Sequence, residues 1–109
     1  MFKIFKTEEF DKIYYKLDNN EQKRITKILF QLLEKGDVIG KPLAGLNFFR
    51  EKKFNGKRLY YLIYKDFNVI LVIAISDKKA QQATINKILF NLDIYKESII
   101  KTLKDRDAI

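Results

Sequence analysis

The dipeptide Asn55-Gly56 lies between two runs that mix apolar and charged residues, Phe48 to Phe54 and Lys57 to Tyr64. Both central positions of a type I′ turn need positive φ, which Asn and Gly accept most readily, so this placement is a strong short-range signal for a β-hairpin. A two-residue turn also leaves one register. Lys53 then pairs with Arg58, Glu51 with Tyr60 and Phe49 with Leu62, all on one face, because successive strand residues point to opposite sides. The other face holds Phe48, Arg50, Lys52 and Phe54 against Lys57, Leu59, Tyr61 and Ile63.

The remaining elements arrange themselves around this hairpin. Met1 to Lys6 alternates like a short strand, and Thr7-Glu8-Glu9 reads as an N-cap with an acidic first turn, opening a helix through about Leu17. Asp18-Asn19-Asn20 breaks that helix and caps a second, whose Ile25, Ile28, Leu29, Leu32 and Leu33 recur at helical spacing up to Gly36. The stretch Gly40 to Gly45, with the chain's single proline at Pro42, reads as a loop. After a turn near Asp66-Phe67-Asn68, the apolar run Val69 to Ile75 suits a central strand covered on both sides. From Gln81 to Lys104 one long helix is expected, with Ile85, Ile88, Leu89, Leu92, Tyr95, Ile99 and Leu103 as its stripe. The expected fold is therefore α+β: one domain over 1–109, with an antiparallel or mixed four-stranded sheet, two N-terminal helices packed on it and a C-terminal helix.

Charge is concentrated in the same region. Between Gly40 and Lys79, nine cations face three carboxylates, which gives six of the chain's net charge of +8. Such a local surplus is what a surface facing phosphates requires. With no cysteine and no histidine among 109 residues, thiolate chemistry and the commonest acid–base group and metal ligand are excluded. No apolar run approaches the ~20 residues needed to cross a bilayer, and the start lacks the apolar core of a signal peptide, so a cytoplasmic location and no membrane partner are expected.

The order of these elements, together with Gly40-Lys41-Pro42-Leu43, Gly45-Leu46, Gly56-Lys57-Arg58 and an apolar strand ending in Lys78-Lys79, resembles the RelE/ParE toxin superfamily over nearly the whole chain. The RelE-like and HigB-like branches look nearest. The resemblance implies the toxin of a type II toxin–antitoxin system. In the RelE-like case it acts as an mRNA interferase, a ribosome-dependent endonuclease that binds RNA and inhibits translation without metal or cofactor. ParE members share the fold and poison DNA gyrase instead, so fold alone does not choose between the two. A third reading is a basic binding domain with no toxin activity. The implied partners are ribosome-bound mRNA and a cognate acidic antitoxin, assembled with the toxin in a heterotetramer. The antitoxin is expected to be partly disordered alone and to lay a helix or strand over the toxin, with the exposed side of the Gln81 to Lys104 helix as one docking site.

On this resemblance Arg58 matches the arginine that contacts the scissile phosphate, and Lys78 and Lys79 match a basic pair at the end of the apolar strand. The alternative for Arg58 is a solvated hairpin residue with no partner, and for the lysines a charged strand end. Attack by a 2′-hydroxyl on its neighbouring phosphate needs cations around the phosphorus, a base and an acid. Arg58 and Lys79 would supply the cations. Lys53 is a candidate base or acid, and Glu51 is the alternative base or else an ion partner of Lys53. Two cations side by side, Lys53 and Arg58, repel unless an anion lies between them. Arg50, Lys52, Lys57, Lys78, Tyr60 and Gln81 are the candidate RNA contacts. Arg50 fits an arginine common in HigB-like relatives, yet the register puts it on the face opposite Arg58, so one of those assignments must yield. The region Ala80 to Ile85 carries no titratable side chain where RNA-cleaving relatives often place a tyrosine or histidine.

Overall fold

A computed structural model describes residues 1–107. In chain order the elements are β1 (Lys3–Lys6), α1 (Glu8–Tyr14), α2 (Asn19–Lys35), β2 (Lys41–Leu43), β3 (Leu46–Phe54), β4 (Lys57–Tyr64), a 3₁₀ turn (Lys65–Phe67), β5 (Val69–Asp77), α3 (Gln81–Phe90) and α4 (Leu92–Asp107). The five strands form one sheet in the order β1-β5-β4-β3-β2, parallel only between β1 and β5. The α+β class and the expected order of elements hold, but the count of four strands does not. The fifth strand is β2, which pairs with β3 at the sheet edge. Pro42 is tolerated there because an edge strand leaves one side free of ladder bonds. Its turn places Ala44 at φ 53 and Gly45 at φ 70, and alanine is a poor advertisement for a left-handed turn.

The Asn55-Gly56 turn forms as expected, with φ of 47 and 74. It sets Lys53 opposite Arg58, Glu51 opposite Tyr60 and Phe49 opposite Leu62. β5 lies between β1 and β4, and its residues from Val69 to Ser76 are buried throughout.

Two cores cover the two faces of the sheet. On one face, Phe10 of α1 and Ile25, Ile28 and Leu32 of α2 pack with Leu59, Tyr61, Ile63, Ile70 and Val72. On the other, Ile85 and Ile88 of α3 and Tyr95 and Ile99 of α4 pack with Phe49, Tyr60, Leu62, Leu71 and Ile73. A bulge opposite Tyr60 and Tyr61 inserts Ile73 into β5, so Ile73 and Ala74 both join the second core.

The caps written in the sequence form. Thr7 Oγ1 accepts from the Phe10 amide, and Asp18 and Glu21 make a reciprocal capping box. The single C-terminal helix is corrected to two helices, parted at Asn91. There the Asn91 amide donates to the Ile88 carbonyl, and its side-chain Nδ2 donates to the Lys87 carbonyl at 2.8 Å. An asparagine that bonds the local backbone in this way competes with helix continuation. The apolar stripe continues across the break.

Candidate active site at the hairpin end of the sheet

Arg58 is the second residue of β4 and faces the α3 side, between Lys53 on β3 and Ser76 on β5. Despite lying next to a turn it is only 8% exposed, and Glu51 and Ser76 beside it are 3% and 8% exposed. The solvated-hairpin reading of Arg58 therefore fails. Its Nη1 donates to the Gly56 carbonyl at 3.4 Å. Its Nε lies 3.9 Å from Glu51 Oε2, close enough for Coulomb attraction but too long for a hydrogen bond. That Nε is buried with no hydrogen-bond acceptor among the described residues.

Glu51 is held from the other side. Gln81, the first residue of α3, donates from Nε2 to both carboxylate oxygens, at 3.3 and 3.0 Å. Tyr60 and Ser76 share a hydrogen bond of 2.8 Å between their hydroxyls, deep in the same cluster. Burial pushes the Tyr60 phenol above its ordinary value, which leaves it a neutral hydrogen-bonding group rather than a proton donor to solvent. Its ring is fully buried in the second core, so it packs and cannot stack on a base.

Above this cluster the chain turns from β5 into α3. Asp77 Oδ1 accepts from the Ala80 amide at 2.8 Å, and the turn carries Lys78 and Lys79, both exposed. Lys53 is exposed as well. Arg58, Lys53, Glu51, Tyr60 and Gln81 thus gather on the α3 side of the hairpin end, with Lys78 and Lys79 on the turn that leaves β5 there.

The other three candidates are directed elsewhere. Arg50, Lys52 and Lys57 alternate onto the face that packs against α1 and α2. Arg50 uses its guanidinium on backbone carbonyls: Nε donates to Asn47 at 2.9 Å and Nη1 to Ile39 and Gly40 at 3.3 and 3.4 Å. Lys57 Nζ is 2.5 Å from Glu21 Oε2 on α2. The register places Arg58 in the cluster and Arg50 on the opposite face, where it pins the chain that leads into β2. The sequence signal for Arg50 was present in that register.

Two features were not anticipated. The partnership of Glu51 with Gln81 crosses from a strand to a helix 30 residues away, which no local pattern announces. A cavity of about 590 Å³ also lies at the other end of β3 and β4, lined by Phe48, Arg50, Tyr64, Asp66 and Lys96 among others, away from the Arg58 cluster.

No known family model matches this chain, and no curated protein matches its sequence. Solved structures do match by shape. The intact E. coli RelBE toxin–antitoxin complex contains a chain 23% identical, with 71% of this chain and 96% of that chain aligned at a TM-score of 0.64. The isolated E. coli RelE toxin aligns over 81% and 99% at 20% identity and a TM-score of 0.64. The toxin–antitoxin complex RelBE2 from Mycobacterium tuberculosis aligns over 71% and 98% at 16% identity and a TM-score of 0.62. The chain has the RelE fold.

Proposed function

We propose that this chain is the toxin of a type II toxin–antitoxin pair and acts as a ribosome-dependent mRNA endonuclease. The observation that carries the reading is Arg58. An arginine whose guanidinium makes one long hydrogen bond, to the Gly56 carbonyl, set beside the exposed Lys53 and near a Lys78-Lys79 turn, is suited to gripping a phosphate. The RelE fold and its solved toxin and toxin–antitoxin neighbours support the same class.

In the proposed reaction the RNA supplies the nucleophile. A 2′-hydroxyl loses its proton and attacks the adjacent phosphorus in line, and the P–O5′ bond breaks. The products are a 2′,3′-cyclic phosphate and a 5′-hydroxyl that takes up a proton. Arg58 and Lys79 neutralise the charge that builds on the phosphoryl oxygens. Lys53 is favoured over Glu51 for proton transfer, because Lys53 reaches solvent whereas both Glu51 oxygens are held by Gln81. An acidic antitoxin is the proposed partner. Phe90, 90% exposed, and Ile94 on the outer side of α3 and α4 offer it apolar contacts.

One observation favours a gyrase-directed binder instead. The first turn of α3 holds Gln81, Gln82, Ala83 and Thr84, none of which titrates near neutrality. Inducing the chain in cells without antitoxin, beside Arg58→Ala, and mapping the 5′ ends of mRNA fragments separates the readings. Codon-phased cleavage that disappears in the variant is the expected result. Arrested growth with intact mRNA would transfer the assignment to the gyrase class, and normal growth would end the toxin reading.

A further inference from the structure

We propose that Glu51 is an internal counter-ion that competes with an RNA phosphate for Arg58, and so sets how tightly the site takes a phosphodiester. This rests on the reading of Arg58 as the phosphate contact.

The strand register juxtaposes two cations, Lys53 and Arg58, and such a pair needs an anion nearby. The chain supplies one itself. Glu51 lies two residues before Lys53 on the same face and diagonally across from Arg58, with its Oε2 3.9 Å from Arg58 Nε. At 3% exposure the carboxylate has almost no water, so Arg58 supplies its counter-charge and Gln81 its hydrogen bonds. Gln81 occupies both carboxylate oxygens, and the carboxylate stops short of a hydrogen bond to the guanidinium. The outcome is an arginine that Glu51 engages electrostatically through its buried Nε, with no hydrogen bond between the two. An arriving phosphate must weaken the pull of Glu51 before it gains the guanidinium. Gln81, by drawing charge density from Glu51, eases that exchange.

The two side chains therefore act with opposite sign. Removing the charge in Glu51→Gln tightens phosphate binding, and removing the restraint in Gln81→Ala weakens it. A purely structural role predicts that both changes weaken binding, and a role for Glu51 as general base predicts lost cleavage with unchanged binding.

The test is fluorescence anisotropy of a short oligoribonucleotide, 2′-O-methylated so that it cannot be cleaved, at one fixed salt concentration. Glu51→Gln is expected to bind on the order of tenfold tighter than wild type, the scale of one charge-assisted contact. Glu97→Gln, which changes net charge equally at an exposed position of α4, corrects for general electrostatics. The gain must vanish when Arg58→Ala is also present, and Gln81→Ala must weaken binding only while Glu51 is intact. Urea unfolding establishes that each variant is folded, and if Glu51→Gln is not, the Gln81→Ala result carries the test. Binding of Glu51→Gln equal to or weaker than Glu97→Gln overturns the proposal. So does a gain that survives Arg58→Ala, or no binding by any variant. Cleavage that depends on Arg58 without the Glu51→Gln gain removes this inference alone. The gain without cleavage in cells removes the nuclease reading alone.

Discussion

Replacing Arg50 with alanine should destabilise the fold while sparing the Arg58 cluster. Arg50 Nε donates to the Asn47 carbonyl at 2.9 Å, a full charge-assisted hydrogen bond, and its contacts to the Ile39 and Gly40 carbonyls at 3.3 and 3.4 Å are weaker. A hydrogen bond from a charged donor contributes about 1.5–3 kcal/mol, and partial exposure of the side chain pulls the sum toward the lower part of that range. The expected loss is about 2 kcal/mol, or roughly 8 °C in Tm for a domain of this size. Arg50→Lys should lose nearly as much, because an ammonium on a single stem cannot serve carbonyls on two segments with a fixed fork. Urea unfolding followed by circular dichroism measures the loss. Binding of the uncleavable oligoribonucleotide, corrected for the folded fraction, measures what remains of the site. Unchanged stability together with a large loss of RNA binding would refute the argument and return Arg50 to the RNA-contacting set.

Gly40 sits at φ +76, where a Cβ would come within 2.6 Å of the Glu51 carbonyl oxygen and 2.8 Å of the Tyr61 hydroxyl. Gly40→Ala should therefore cost about 2 kcal/mol or more in urea unfolding. Gly45→Ala, at φ +70 in open space, should cost only the backbone term of about 1 kcal/mol. Alkaline pH should unfold the protein through its buried phenols. Burial pushes Tyr61 and Tyr64 up to about 12, against an ordinary value of 10. A raised folded-state value means that the stability is complete below pH 10 and is lost as pH climbs from 10 through 12. The urea midpoint should fall across that window, and Tyr61→Phe with Tyr64→Phe should remove much of the slope. A midpoint level to pH 12 would contradict the assignment.

What the sequence made legible follows the range of the interaction concerned. Asn55-Gly56 specifies its own turn, and the turn specifies the pairing of Lys53 with Arg58, so the hairpin could be written down residue by residue. The Asp18–Glu21 capping box and the run from Val69 to Ile75 are equally local statements. β2 was hidden because Pro42 argues against a strand and Ala44 against a tight turn, and both objections lapse only when β3 is present as a partner. The break at Asn91 was hidden by the apolar stripe from Ile85 to Leu103, which runs on unbroken while one backbone position departs from the helix. For the site, the sequence gathered Arg58, Lys53 and Glu51 correctly onto one face. The register already put Arg50 on the opposite face, but it could not show that Lys57 is taken by Glu21 of α2 or that Arg50 also reaches the Ile39 and Gly40 carbonyls, because those partners lie on other segments.

The burial of Arg58 also governs how its removal must be read. Helices cover both faces of the sheet, so a charged residue on the interior strand β4 can be accommodated only near an end, where a counter-charge and some water are within reach. Arg58 lies two residues from the hairpin turn, and Glu51 is its nearest carboxylate. Arg58→Ala therefore leaves Glu51 buried with Gln81 as its only side-chain hydrogen-bond donor among the described residues, and breaking a buried pair from one side typically costs about 3–5 kcal/mol. A loss of that size is a large share of the ~5–15 kcal/mol that holds a domain folded, so activity lost in the single variant does not by itself identify the guanidinium. Adding Glu51→Gln to Arg58→Ala removes the stranded charge, so the double variant should regain most of the urea stability that Arg58→Ala loses. If it does, and cleavage stays absent, the missing activity belongs to the guanidinium. If the double variant is no more stable than Arg58→Ala alone, Glu51 and Arg58 are not energetically coupled, and the 3.9 Å contact on which the counter-ion argument depends has no stabilising role.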